Sequence, residues 1–180
     1  MIYGDKLIRE RIFGGGFIEG AELSQINPAS VNVRLGNTFL IPAPEDGKIR
    51  LGEIVNYDRY EVKDTGSMGI NPGEFMLATT KEKITMPPNV AAFVQGRSSI
   101  GRIALTVQNA GFIDPGFSGH ITLELVNETD YLIELPPGYP VAQIVFFDVS
   151  EVEHPYRGKY YGQVEATGSR MFMDRFVKGE

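Results

Sequence analysis

The chain has 180 residues, of which 42% are hydrophobic, carries a net charge of −6 and contains no cysteine. Without cysteine it can form neither disulfides nor the cysteine-ligated zinc centre that zinc-dependent deaminases use to activate water. The acidic balance argues against binding along a nucleic-acid backbone, and no apolar run has the length of a membrane span or the position of a signal peptide. We therefore expect one globular, cytoplasmic domain.

The first part of the chain predicts one short helix followed by a strand. Residues 4–13 (GDKLIRERIF) place their apolar side chains on one rough helical face, with an aspartate near the start. Residues 28–36 (PASVNVRLG) alternate apolar and polar side chains with the period of two that marks a half-buried strand. We expect Gly36 to end this strand.

The rest of the chain predicts an all-β domain with a distinct C-terminal segment. Short apolar runs are separated by turns rich in Gly, Pro, Asn and Asp, which is typical of a sandwich, a jelly roll or a small barrel. The run 141–149 (VAQIVFFDV) shows little alternation, so we expect it to be buried on both faces. Residues 155–180 are rich in Gly, Tyr, Lys and Arg and predict either a disordered tail or a segment that orders on a ligand. The predicted strands are 75–87, 90–95, 121–127, 132–135 and 141–149.

Residues 96–102 (GRSSIGR) concentrate cationic and hydroxyl groups after a predicted strand. Arg97 and Arg102 flank two serines, and the segment contains two glycines. Guanidinium groups pair bidentately with phosphate oxygens, and glycines let backbone N–H groups approach an anion closely. The segment lacks the GK[ST] ending of a Walker A loop. It is therefore either a phosphate-binding loop of another kind or a polar strand-to-helix turn whose arginines meet surface acids.

Two carboxylates follow this segment. Pro115 biases Asp114 toward an extended conformation, so the Asp114 carboxylate is either presented to a sugar hydroxyl, a metal-bound water or an amide, or it merely caps the turn. In residues 121–127 (ITLELVN), Glu124 lies on the opposite strand face from the isoleucine and leucines. Apolar neighbours on either side would favour its protonated form and allow proton transfer near neutral pH, whereas the alternative is a glutamate that faces solvent.

Several separate motifs, in the same order, resemble the dCTP deaminase branch of the dUTPase superfamily. They are PASVNVRLG, GRSSIGR, NAGFIDPGFSGHITLELVN, LPPGYPVAQIVF and YRGKYYGQ. The resemblance implies a distorted all-β jelly-roll or barrel of the dUTPase-like (β-clip) type over residues 1–154, with residues 155–180 closing over the active site. It also implies a homotrimer with sites between subunits, zinc-independent deamination of dCTP to dUTP and ammonia, and Mg²⁺ that accompanies the triphosphate rather than a metal site of the protein.

The resemblance also implies roles for residues around the cytosine base. Glu124 matches the catalytic glutamate, which activates water for attack on C4 and passes its proton to the departing amine. Ser98 and Arg102 match residues around the same centre, with Arg102 reaching in from a neighbouring subunit. The backbone at Ala110 matches a group that helps to hold the water and the base.

A second set of roles concerns the sugar and the phosphates. Asp114 matches the aspartate that receives the deoxyribose 3′-hydroxyl, and Arg97 and Ser99 match phosphate-side residues. The tail positions that close over the nucleotide and its triphosphate are matched by Tyr156, Lys159 and Gln163.

Three alternatives stay open. A plain dUTPase usually has an apolar residue where this chain has Glu124 and a tyrosine where it has Phe117, and a catalytically idle nucleotide sensor would lack the site residues that are present here. Bifunctional relatives continue from dCTP to dUMP and pyrophosphate, and the 102–114 segment, one residue shorter than in purely deaminating enzymes, resembles them.

Asn32 replaces the family's usual aspartate, which removes a charge near the phosphate end. Feedback inhibition by dTTP, expected from the family, would require the loop 106–113 to change shape.

Overall fold

The computed structural model describes residues 1–63, 65–108 and 112–174, which form twelve strands and very little helix. Ten strands belong to one sheet with the main order β8-β10-β6-β3-β12-β7-β9, and β1, β2 and β4 pair on β6 or β3. Two further strands, β5 and β11, pair with each other. The strands are β1 (Ile18–Glu19), β2 (Ile26–Asn27), β3 (Ser30–Pro42), β4 (Tyr57–Glu61), β5 (Met68–Ile70), β6 (Phe75–Thr85), β7 (Val90–Gly96), β8 (Leu105–Gln108), β9 (Phe112–Ile113), β10 (Ser118–Asn127), β11 (Ile133–Leu135) and β12 (Pro140–Asp148).

The predicted N-terminal helix is confirmed, although most of it is wound more widely than an α-helix. A single α-helical turn, α1 (Asp5–Leu7), runs into a π-helical segment, Ile8–Phe13. The wide winding is visible in the hydrogen bond from Phe17 N to Ile12 O at 2.9 Å, which spans five residues. Ile8 and Ile12 are fully buried, so the helix is fixed by packing against the sheet. Within the described parts of the chain, no helix is long and apolar enough to cross a membrane.

The prediction that the first long strand ends at Gly36 is wrong. β3 continues to Pro42, with a shift of register against β6 between Leu35 and Phe39. A Cβ at Gly36 would lie 2.5 Å from Thr79 Cγ2, so the missing side chain permits the close approach of β6 at this irregularity. The glycine therefore marks a bulge inside the strand. The bulge allows β3 to pair with its neighbouring strands on both sides of the irregularity.

A buried ion pair joins the two central strands. Glu82 on β6 is fully buried, and its carboxylate accepts hydrogen bonds from Arg34 N at 2.8 Å and Arg34 Nε at 2.7 Å. Gln25 donates to the same carboxylate at 3.0 Å and to the Asn32 carbonyl at 2.7 Å. Because a buried carboxylate is costly without partners, these bonds fix the segment before β3 against the sheet.

The prediction that the last strand is buried on both faces is also wrong. In β12 the side chains of Ala142, Ile144 and Phe146 are buried, whereas the intervening ones are only partly covered. The outer face instead carries an aromatic cluster in which the ring centroids of Phe93 and Phe147 lie 5.1 Å apart. An apolar run without alternation therefore reflects, in this strand, one face in the core and an apolar face that is partly exposed.

Candidate active site

A cavity of about 550 Å³ lies between β10, the turn after β9 and the C-terminal segment. Five of the ten predicted site residues line it, namely Asp114, Glu124, Tyr156, Lys159 and Gln163. They come from the turn before β10, from β10 itself and from the tail more than thirty residues further along the chain. The aromatic and aliphatic side chains around them include Phe75, Leu77, Phe112 and Phe117. The cavity thus combines an apolar wall with a few convergent polar groups, as small-molecule sites commonly do.

Glu124 projects into this cavity from the middle of β10. The strand alternates buried and half-buried residues along its whole length, with Leu123 and Leu125 in the core and Glu124 on the other face. Its backbone lies opposite Leu77 of β6 and Gln108 of β8. A central strand with partners on both sides holds the carboxylate in a fixed place, and its half-buried position in the cavity suits a group that exchanges protons with a ligand.

Asp114 begins the turn that leads into β10, and the tail packs directly on this turn. Phe117 N donates to Asp114 O at 3.1 Å, and Arg157 Nη1 donates to Gly116 O at 2.6 Å. Gly116 has φ +83°, and a Cβ there would lie 2.6 Å from Pro155. Only glycine therefore allows the turn and the tail to come this close. The Asp114 side chain is exposed and reaches the cavity wall.

Tyr156 and Lys159 are positioned by contacts within the tail. The Tyr156 ring lies 6.0 Å from the Phe117 ring, and its hydroxyl accepts a hydrogen bond from Tyr160 N at 3.1 Å. Lys159 Nζ lies 2.5 Å from Asp174 Oδ1, at the end of the described tail. The ammonium group that the resemblance assigns to the triphosphate is therefore already paired with an anionic group of the protein.

Gln163 joins the tail to the start of β10. His120 N donates to Gln163 O at 2.8 Å, and Gln163 Nε2 donates back to His120 O at 2.6 Å. The remaining amide oxygen, Gln163 Oε1, is buried and has no hydrogen-bond partner among the residues that the structure describes. Because a buried acceptor without a partner is unfavourable, this oxygen is suited to receive a donor from a ligand in the cavity.

The other group of predicted site residues lies elsewhere on the protomer. Arg97 precedes the one-turn helix α2 (Ser98–Gly101), and none of Arg97, Ser98, Ser99 and Arg102 lines the cavity. Ser98, Ser99 and Arg102 are exposed, whereas Arg97 is half-buried and donates through Nη1 to Pro140 O at 3.0 Å. The structure therefore separates the predicted site into a carboxylate half and an arginine half.

A row of amide side chains continues the arginine half across the sheet. Gln143 of β12 lies directly opposite Asn32 of β3 on one side and Gln95 of β7 on the other. Directly opposed residues point to the same sheet face, so the three amides form one polar row that ends two residues before Arg97. Gln143 Oε1 accepts a hydrogen bond from Ser30 Oγ at 2.8 Å. The sequence prediction missed Gln143, although a lone amide inside the apolar run VAQIVFF was a usable signal.

Ala110 lies outside the described residues, so its assigned role stays a prediction. Within residues 1–63, 65–108 and 112–174, no group of three or more His, Cys, Asp or Glu side chains has the arrangement of a metal site. Asn32 contributes a neutral amide, which accepts a hydrogen bond from Asn27 Nδ2 at 3.1 Å.

Comparison with known proteins agrees with this architecture. The crystal structure of 2′-deoxycytidine 5′-triphosphate deaminase from Agrobacterium tumefaciens superposes with a TM-score of 0.64 at 21% identity. The match covers 83% of this chain and 48% of that one, so this chain spans about half its length. The likeness shows the fold, and the predicted dUTPase-like, all-β class with a short N-terminal helix is confirmed.

Sequence comparison defines the family within that class. The model of the dCTP deaminase-like family matches residues 2–149, so the chain belongs to this family. A Persephonella marina protein named "dCTP deaminase, dUMP-forming" is 44% identical over 180 residues, covering 97% of this chain and 99% of that protein. A Natronomonas pharaonis protein named "dCTP deaminase" is 39% identical over 197 residues and the match covers 100% of both chains.

Proposed function

We propose that the protein deaminates dCTP and hydrolyses the resulting triphosphate in the same site, giving dUMP, pyrophosphate and ammonia. The observation that carries the proposal is Glu124, which projects from a central strand into a cavity that Asp114 also lines. The relatives that are 44% and 45% identical over nearly the whole chain are both named as dUMP-forming. The roles that we propose for individual residues follow the family resemblance and the geometry of the cavity.

In the deamination step, the Glu124 carboxylate accepts a proton from water while the water oxygen attacks C4 of cytosine. The attack opens the C4=N3 double bond and places its electron pair on N3. The same carboxyl group then returns the proton to the exocyclic nitrogen, the C4=N3 bond re-forms as the C4–N4 bond breaks to release ammonia, and the proton of the new C4 hydroxyl moves to N3 to give uracil. One residue can serve as base and then as acid because its carboxyl group is partly shielded from solvent and held by the strand. The sum of the step is dCTP and water to dUTP and ammonia.

The sugar and the phosphates are assigned to residues around the base. Asp114 accepts a hydrogen bond from the 3′-hydroxyl, and Tyr156, Lys159 and Gln163 close over the nucleotide from the tail. Arg97 and Ser99 bind the phosphates, with Ser98 and Arg102 near the base. Mg²⁺ enters as part of the substrate, bound to the triphosphate oxygens, which is the usual mode for this ion. Hydrolysis then converts dUTP and water to dUMP and pyrophosphate.

We further propose that the active enzyme is a homotrimer in which each site combines two copies of the chain. The separation of the carboxylate half from the arginine half supports this, because one copy brings only one half to a given cavity. The aromatic cluster on the outer sheet face also supports it, since Phe93 and Phe112 are 41% and 56% exposed with ring centroids 4.8 Å apart. Exposed aromatic groups of this kind are suited to burial in an interface.

The assembly is tested by its mass in solution. Light scattering should give about three times the protomer mass of 19.9 kDa for the wild type. Phe93→Lys should lower the measured mass, because it places a charge in the proposed interface. The matched control is Leu51→Lys. It changes a residue that is 92% exposed, in a loop that is distant in sequence from Phe93. A wild-type protein with the mass of one protomer would refute the trimer.

Product analysis tests the reaction itself. The purified protein is incubated with dCTP and Mg²⁺, and the nucleotides, pyrophosphate and ammonia are resolved over time. The proposal expects dUMP and pyrophosphate, without accumulation of dUTP. Accumulation of dUTP as the end product would restrict the activity to deamination, the reaction in the name of the Natronomonas pharaonis relative. No turnover of dCTP, with turnover of dUTP alone, would identify a plain dUTPase.

Two expectations from the sequence complete the proposal. Inhibition by dTTP would act through the loop 106–113, part of which lies outside the described residues. It is tested by the dependence of the initial rate on dTTP at fixed dCTP, and equal rates at all dTTP concentrations would refute it. A cytoplasmic location is expected for an enzyme that uses the free nucleotide pool, and fractionation of the source cells tests it.

A further inference from the structure

The C-terminal segment crosses the sheet as irregular backbone, and hydroxyl groups of the protein body hold it in place. The N–H groups of residues 166, 167 and 169 donate to the hydroxyl oxygens of Thr38, Thr122 and Tyr57 at 3.1, 3.2 and 3.1 Å. Backbone outside a strand ladder needs such acceptors when it packs against a surface. The position of the segment therefore depends on these side chains.

Tyr57 makes a second contact that the two threonines do not make. A Cβ at Gly168 would lie 2.5 Å from Tyr57 Cε2 and 2.8 Å from Cδ2, so Gly168 lies directly against the ring. Tyr57 also packs against the small apolar cluster of Leu40, Leu77 and Ala166. The Tyr57 side chain thus contacts two successive tail residues: its ring packs against Gly168, and its hydroxyl accepts a hydrogen bond from Ser169 N.

The alternation of β4 explains why Tyr57 faces the tail. Arg59, two residues further along the strand, also contacts the tail, with Nη2 donating to Glu165 Oε2 at 2.6 Å. Tyr60 falls on the opposite strand face and is 43% exposed. The chain therefore offers two tyrosines three residues apart, of which one anchors the tail and the other does not face it.

The anchored tail residues form one wall of the cavity that contains Glu124. Tyr57 and residues 167–169 line the same cavity as Glu124. Thr122, whose hydroxyl receives Thr167 N, precedes Glu124 by two residues on the same strand face. The tail wall is thus held to the catalytic strand by the Thr122 contact and to β4 by the Tyr57 contact.

We propose that Tyr57 is a positioning residue for the reaction, which holds residues 167–169 at the place where they close the cavity over the nucleotide. This inference rests on the proposed function, since it assumes that the nucleotide occupies this cavity. Tyr57→Phe keeps the ring on Gly168 and removes only the hydroxyl. KM for dCTP should rise about 3- to 10-fold, the range for one hydrogen bond, while kcat stays within about twofold. Tyr60→Phe should change neither constant.

A second readout needs no activity. Amide hydrogen exchange, followed by mass spectrometry of tail peptides, should be faster over residues 166–170 in Tyr57→Phe than in the wild type and in Tyr60→Phe. Unchanged exchange together with unchanged KM would overturn the inference. A large fall in kcat at constant KM would also overturn it, because a positioning residue for the bound nucleotide should act on binding. Failure of the proposed function would appear differently, as a wild-type protein without dCTP turnover.

A double-mutant cycle tests the ring contact separately. Gly168→Ala should raise KM in the wild type because the new methyl group meets the Tyr57 ring. In a Tyr57→Ala background the ring is absent, so adding Gly168→Ala should raise KM by much less than it does alone. Equal effects in the two backgrounds would show that Gly168 acts without Tyr57. Both variants change partly exposed positions outside the main core, so the fold should persist.

Discussion

The two halves of the predicted site differ in how far one copy of the chain completes them. In the carboxylate half, Glu124 and Asp114 line a cavity that the tail partly covers. The arginine half lies open on the sheet, where Ser98 and Arg102 are exposed and the adjoining amides of Asn32 and Gln143 accept hydrogen bonds from Asn27 and Ser30. One copy of the chain therefore builds a cavity around the carboxylates by itself, whereas its arginine half stays on an open face that a second copy has to cover.

The largest expected effect is on the carboxylate half. Glu124→Gln keeps the shape of the side chain but removes the proton acceptor, so ammonia release should fall about 10³-fold, within the range for a lost general acid–base group. KM should change by less than about threefold, since the uncharged amide keeps most binding contacts. Steady-state kinetics with dCTP measures both constants.

The matched control is Glu134→Gln, an exposed glutamate on β11. It should leave both constants at the wild-type values. Retention of most activity in Glu124→Gln would contradict the proposed mechanism, because the carboxylate half would then not supply the proton acceptor.

Mixing two variants tests whether the two halves of one site come from different copies of the chain. Arg102→Ala and Glu124→Gln should each be nearly inactive alone, because each removes a group near the reacting base. If each site takes one half from each of two copies, an equal mixture that is unfolded and refolded together should regain about a quarter of the wild-type activity, by random assortment around a cyclic assembly. The activity of the mixture, compared with that of each variant alone, measures this.

The control for mixing uses two changes in the same half. A mixture of Glu124→Gln with Asp114→Ala should show only the residual activity of Asp114→Ala, because no site then receives an intact carboxylate half. A mixture of Arg102→Ala and Glu124→Gln that stays inactive would mean that both halves belong to the same copy.

The same comparison shows how far the sequence could predict this molecule. Local alternation was sufficient for β10, so the orientation of Glu124 was predictable from residues 121–127 alone. Alternation was not sufficient for Gly36, because its role depends on Thr79, which lies far along the chain in a neighbouring strand. Gln143 was missed for a similar reason, since its amide partners come from two other strands. Properties that depend on pairing between distant segments are fixed by tertiary structure.

The third prediction concerns the ammonium group of Lys159, which already pairs with a carboxylate of the protein. Lys159 is paired with Asp174, and both side chains are partly exposed. Because the triphosphate must displace this carboxylate, Asp174→Asn should lower KM for dCTP about two- to fivefold with kcat unchanged, consistent with the modest strength of exposed ion pairs. Asp46→Asn, which removes an exposed pair with Arg50 in a loop, is the control. An unchanged or higher KM in Asp174→Asn would show that the pair does not compete with the nucleotide.

The smallest effect is expected where neither half is involved, at the end of β12. Asp148 accepts a hydrogen bond from Tyr3 Oη at 2.7 Å and pairs with Arg11 at 3.1 Å. The bond from Tyr3 lowers the pKa of Asp148, and the N-terminal ammonium and Arg11 lower it further. Burial, followed by the bond to Asp148, raises the pKa of Tyr3.

Asp148 should therefore make stability depend on acidity in a defined direction. A carboxyl group with a pKa lower in the folded than in the unfolded state stabilises the fold above its unfolded value of about 3.9, and loses that contribution as the pH falls through its folded pKa. Asp148→Asn should lower the free energy of unfolding at neutral pH by at most about 1 kcal/mol, because the side chain is partly exposed. Urea unfolding should show this difference shrinking below about pH 4. Since the change lies outside both halves, kcat and KM should stay at wild-type values, and a change in either would mean that the end of β12 is coupled to the site.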